Sequence, residues 1–167
     1  GYSATGHATP CGKLMVLDDK KIYVFGRQDR YWRWTTPTEY RLFSVDRSLP
    51  EPRKPKEQFD TGWSVDIPIL ARAMVKAGNT VFACGPRDIV PEEQFKARKS
   101  EQLDELRRQA ALYSGSDGSM LCAVSAEDGK TLNQAKLDVL PVFDGMIAAG
   151  GKLFVATIDG KIVCLAK

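Results

Sequence analysis

The chain has 167 residues, enough for one domain with a real core, and 43% of them are hydrophobic, as in ordinary globular proteins. A net charge of +3, with acidic and basic residues mixed along the sequence, lacks the concentrated positive charge of a nucleic-acid binder. No apolar run approaches the roughly 20 residues that a membrane-crossing helix needs, so no membrane insertion is expected.

In chain order, the N-terminal stretch Ser3–Cys11 holds His7, the single histidine. Pairing His7 with Ser3 or Cys11 as base and nucleophile would require a rigid frame, which a terminal glycine-containing segment does not predict. Leu14 to Gly26 reads as a β-hairpin about an Asp18-Asp19 turn, because a short apolar run, turn residues and an apolar run with aromatics follow one another. Asp18-Asp19 is read as turn chemistry rather than as a cation site. Next comes Arg30-Tyr31-Trp32-Arg33-Trp34, three large aromatics and two guanidiniums in succession. Such a run suits a partner surface or stacking on a small ligand, and its alternation equally fits a strand with both tryptophans on one buried face.

A strand is predicted at Leu42–Val45, followed by an irregular proline-rich connection over residues 46 to 60. A second hairpin spans Ala73 to Gly85 about Gly78-Asn79. Pro91 to about Tyr113 reads as an amphipathic helix, with Phe95, Leu103, Leu106, Ala110 and Tyr113 as its apolar stripe. That stripe is expected to dock on the helix's own sheet, the other reading being a seam with a second copy. Strands are then expected at Leu121–Val124 and Thr131–Leu137, a third hairpin at Gly145–Thr157 about Gly150-Gly151, and a last strand at Ile162–Leu165 after the Asp159-Gly160 turn.

The three hairpins align without a gap. In each, a methionine (Met15, Met74, Met146) stands seven residues before an aliphatic (Ile22, Val81, Leu153), and an aromatic follows at once (Tyr23, Phe82, Phe154). The third strands align as well, at 20, 40 and 9 residues beyond those aliphatics, so one loop absorbs the differences in repeat length. The expected fold is all-β: about three propeller-type antiparallel sheets, with units near residues 12–60, 61–138 and 139–167 forming a single partial β-propeller domain, and one inserted α-helix near 91–113.

Within this pattern, Gly151-Lys152-Leu153-Phe154-Val155-Ala156-Thr157 and Asp159-Gly160-Lys161-Ile162-Val163-Cys164-Leu165 resemble the repeat of quinoprotein alcohol dehydrogenase-like propellers. Ala123 to Leu132 resembles the turn that follows the third strand in that family. The resemblance implies a propeller scaffold and a periplasmic or extracellular setting. The sequence also departs from the family. Leu132-Asn133 stands where a tryptophan of the family's docking motif would follow Gly129-Lys130, which implies a degenerate lock between neighbouring sheets. The family's enzymes hold pyrroloquinoline quinone with an adjacent cysteine pair and calcium, and neither an adjacent pair nor an obvious ligand cluster occurs here.

Cys11, Cys84, Cys122 and Cys164 form no C-x-x-C pair, which argues against a zinc site. The last three are expected to be buried strand thiols, with a Cys84–Cys122 bridge conceivable in an oxidising compartment. No glycine pattern for phosphate binding is present. The functional expectation is a non-catalytic scaffold or binding module without cofactor or metal. It would belong to a larger propeller or self-associate, with a protein or glycan as partner and Arg30, Tyr31, Trp32, Arg33 and Trp34 as the partner surface. The competing reading is a fragment of a quinone-dependent dehydrogenase whose ligands lie elsewhere.

Overall fold

The computed structural model of the chain describes residues 11–27, 40–48, 61–90 and 100–166. They form three antiparallel sheets, each a meander of strands in chain order, together with one helix. The first sheet contains β1 (Cys11–Leu17), β2 (Lys21–Arg27), β3 (Tyr40–Asp46) and β4 (Trp63–Val65). The second contains β5 (Ala73–Ala77), β6 (Thr80–Gly85), β7 (Ser119–Ser125) and β8 (Thr131–Leu137). The third contains β9 (Pro141–Ala149), β10 (Lys152–Thr157) and β11 (Ile162–Leu165). The helix α1 (Ser100–Tyr113) stands between β6 and β7.

The sequence repeat is reproduced in the strand register. On one face of each sheet, cross-strand neighbours form the rows Met15–Val24–Phe43, Met74–Ala83–Cys122 and Met146–Val155–Val163. The aligned sequence positions are therefore aligned positions in space. Side chains alternate along a strand, so the other face carries a second set: Leu14–Phe25–Leu42 in the first sheet and Ala73–Cys84–Leu121 in the second.

These two faces meet. Leu14, Phe25 and Leu42 of the first sheet share a buried cluster with Met74, Ala83 and Cys122 of the second. Ala73, Cys84 and Leu121, on the opposite face of the second sheet, share another with Met146, Leu153 and Val155 of the third. The middle sheet is thus covered on both faces, and the sheets stack in chain order. Their first strands lie side by side, with β5 between β1 and β9.

Polar contacts span the first seam. Trp63 of β4 donates its indole N–H to the Ala126 carbonyl at 3.1 Å. Its ring lies so close to the β7–β8 turn that a Cβ on Gly129, at φ 76°, would come within 2.7 Å of Trp63 Cε3. Trp63 of the first sheet thus joins the first two sheets, whereas the position after Gly129-Lys130 in the second sheet is without a tryptophan, as the sequence indicated. Four residues after Gly129, the second sheet has Asn133, which is exposed.

Asp18 accepts from the Lys20 and Lys21 amides at 2.8 and 2.7 Å, which closes the first hairpin as the turn reading expects. Its other oxygen meets Lys76 Nζ of β5 at 2.7 Å and accepts from the Tyr23 hydroxyl at 3.2 Å, joining the first two sheets. The Lys76 ammonium, seconded by the Lys21 and Lys20 amides, holds the Asp18 carboxyl far below the usual carboxylate range. Burial, helped by the Asp18 charge, pushes the Tyr23 phenol up to about 12. A depressed carboxyl stabilises the fold fully above its unfolded-state value, near pH 4, and that contribution disappears as pH falls. Asp18→Asn is expected to lower unfolding free energy by about 2 kcal/mol at pH 7. Urea unfolding from pH 7 to pH 2.5 should also show a shallower acid-side decline in the variant.

Three expectations are corrected. The first unit has a fourth strand, β4, so its sheet extends past residue 60, beyond the proline-rich stretch. Among the described residues, the helix stripe does not pack into a core: Leu103, Leu106, Ala110 and Tyr113 are exposed, while Leu112 and Gln109 are buried. Gln109 explains the offset, since its amide accepts from the Ile89 N–H at 2.8 Å and donates to the Arg87 carbonyl at 2.9 Å, satisfying a backbone segment that apolar groups could not. Phe95 and the rest of 91–99 lie outside the described residues. Finally, Cys84 and Cys122 are free thiols belonging to the clusters on opposite faces of the second sheet, which the proposed bridge cannot join.

Candidate functional site

Arg30, Tyr31, Trp32, Arg33, Trp34 and His7 lie outside the described residues. What is described is the end of the first sheet between which that aromatic run falls in sequence: β2 ends at Arg27, opposite Cys11 of β1, and β3 begins at Tyr40.

At this end, the residues just before the three repeated segments are Lys13, Arg72 and Asp144. Lys13 Nζ lies 5.6 Å from the ring centres of both Tyr40 and Tyr113. The Arg72 guanidinium lies 5.6 Å from the Tyr113 ring. These are cation–π distances, so Tyr113 ties the C-terminal turn of α1 to the starts of β1 and β5. Asp144 of β9 adopts φ 56° and donates its N–H to the Arg72 carbonyl at 2.8 Å, joining that strand to the same group. Arg87 and Lys136 both pair with Asp117, at 2.9 and 2.7 Å, and Lys136 foremost lowers the Asp117 carboxyl from its ordinary value. The result is a partly exposed group of cations and tyrosines at one end of the stacked sheets. The signal was in the sequence, as a charged residue before each repeat, but only the fold shows that Tyr113 receives two of them.

The outer faces of the stack are the second feature. In the first sheet, Met15, Ile22, Val24, Phe43 and Val45 line an open groove of about 370 Å³. Val24 and Phe43 form its buried floor, and Met15 at its rim is 62% exposed. In the third sheet, Ile147–Phe154–Cys164 and Ala156–Ile162 occupy the face turned away from the second sheet. Ile147 and Ile162 are 61% and 71% exposed, and Cys164 is exposed rather than buried as its apolar setting suggested.

No three histidine, cysteine, aspartate or glutamate side chains converge to hold a metal among the described residues, and none of the free cysteines there is adjacent in sequence to another cysteine. No helix among the described residues is long and apolar enough to cross a membrane. No family model matches the chain, and no curated protein is significantly similar to it.

Proposed function

We propose that the chain is a non-catalytic scaffold and binding module of propeller type. The observation that carries this reading is the stacking of three meander sheets through equivalent rows, with their first strands side by side. Each sheet then acts as one unit of an array, and the sheet ends are free to present side chains to a partner. The Lys13, Arg72 and Tyr113 group supplies the cation and aromatic chemistry that anchors interfaces, at the end of the first sheet where the Arg30–Trp34 run falls in sequence. The partner class this favours is a protein surface carrying carboxylates. A periplasmic or extracellular location accords with the resemblance to quinoprotein-like propellers.

Absorbance titration with pyrroloquinoline quinone and calcium, combined with an alcohol-dependent dye-reduction assay, tests this reading. The expected result is no bound chromophore and no turnover. Saturable quinone binding with turnover would replace the scaffold reading with that of a dehydrogenase fragment.

A further inference from the structure

Each seam joins the following-side face of one sheet to the preceding-side face of the next. The preceding-side rows of the second and third sheets, Met74–Ala83–Cys122 and Met146–Val155–Val163, are packed in the two seams. Their counterpart in the first sheet, Met15–Val24–Phe43, lines the open groove. The neighbouring row repeats the pattern: Val81–Val124 and Leu153–Leu165 lie in seams, whereas Ile22–Val45 lies in the groove.

The following-side rows behave in the same way. Tyr23 of the first sheet and Phe82 of the second face the next sheet across a seam, as do Phe25 and Cys84, and Leu42 and Leu121. Their counterparts in the third sheet are Phe154, Ala156 and Ile162, on its outer face. One end of the stack therefore carries a preceding-side face and the other a following-side face, and the chain already joins faces of these two kinds twice.

The geometry points to a second copy of this chain as the occupant of both outer faces: the third sheet of each copy packs on the first sheet of the other, closing two copies into a ring of six sheets. The argument is continuity with the two internal seams, because both halves of a third seam are present on one molecule. Closure covers all four outer faces of two copies, whereas an open head-to-tail row always leaves two apolar faces in water. The inference rests on the stacking of the sheets and is independent of the ligand-binding end. A monomer that binds no quinone would therefore remove the ring and leave the scaffold reading in place.

Sedimentation velocity of the intact chain at tens of micromolar tests it. The expected species has twice the 18.5 kDa chain mass. Met15→Lys and Ile162→Lys change exposed side chains on opposite ends of the stack, so each should fold, as circular dichroism melting would verify, yet sediment as a monomer. Mixing the two variants should restore dimers, because the first-sheet face of one and the third-sheet face of the other remain intact. Cys164 provides a second readout on the native protein: in a Cys11→Ser background, its alkylation should slow at least tenfold between submicromolar and dimer-forming concentrations. A monomeric wild type, a ladder of larger species, a dimer of either variant alone, no recovery on mixing, or concentration-independent alkylation would each overturn the proposal.

Discussion

Phe25→Ala is expected to lower the unfolding free energy by about 4 kcal/mol, the range for deleting a buried phenylalanine side chain from a packed core. Phe25 is fully buried, lies opposite Leu14 on one side and Leu42 on the other, and stacks on Tyr40 with ring centres 5.4 Å apart and planes inclined by 17°. Removing the ring leaves a void in the first seam, between two sheets whose backbones are held by their own hydrogen bonds and cannot collapse into it. Phe25→Leu retains most of the volume and should lose about 1 kcal/mol. Urea unfolding of both variants measures the difference. Equal losses would show that the seam is not packed around this ring.

The second large effect is expected at Trp63. Trp63→Ala removes the indole from the Gly129 turn together with its hydrogen bond to the Ala126 carbonyl, and about 3 kcal/mol should be lost. Trp63→Phe keeps much of the ring contact and loses the donor, which predicts a loss of about 1 kcal/mol. Because Trp63 belongs to the first sheet and Gly129 to the second, hydrogen exchange should accelerate in both β4 and the β7–β8 turn of the alanine variant. Acceleration in β4 alone would mean that the tryptophan supports its own strand and does not join the sheets.

Much of this architecture was legible in the sequence because the repeat is apolar on both faces. A gapless alignment over Leu14–Gly26, Ala73–Gly85 and Gly145–Thr157 carries strand, turn and register at once, since alternation assigns each column to a face. The columns headed by Met15, Met74 and Met146 became the preceding-side faces without exception.

What escaped the sequence depends on partners far away in the chain. Trp63-Ser64-Val65 is too short to show a period, and it becomes a strand by pairing with Leu42, Phe43 and Ser44 across the proline-rich connection. With β4 unseen, the inter-sheet lock could be sought only after Gly129-Lys130, where the sequence offers Leu132-Asn133. In α1, hydropathy marked Leu103, Leu106, Ala110 and Tyr113, but a hydropathy pattern cannot register that the Gln109 amide satisfies the backbone of residues 87 to 89. The candidate site was legible in part. A charged residue precedes each repeat, while the placement of Lys13 and Arg72 about one tyrosine ring follows from where α1 ends.

Three cysteines report separately on the order of the sheets. Cys122 lies in the seam between the first and second sheets, Cys84 in the seam between the second and third, and Cys164 on the outer face of the third. Burial pushes the Cys84 and Cys122 thiols each up to about 11, which suppresses the reactive thiolate as well as access. Pulsed maleimide alkylation of dilute Cys11→Ser protein, mapped by peptide mass, measures all three at once. The stacked arrangement predicts that Cys164 reacts at the rate of an exposed thiol, while Cys84 and Cys122 react only as the protein unfolds. Labelling of Cys84 or Cys122 at the Cys164 rate in the native protein would contradict it.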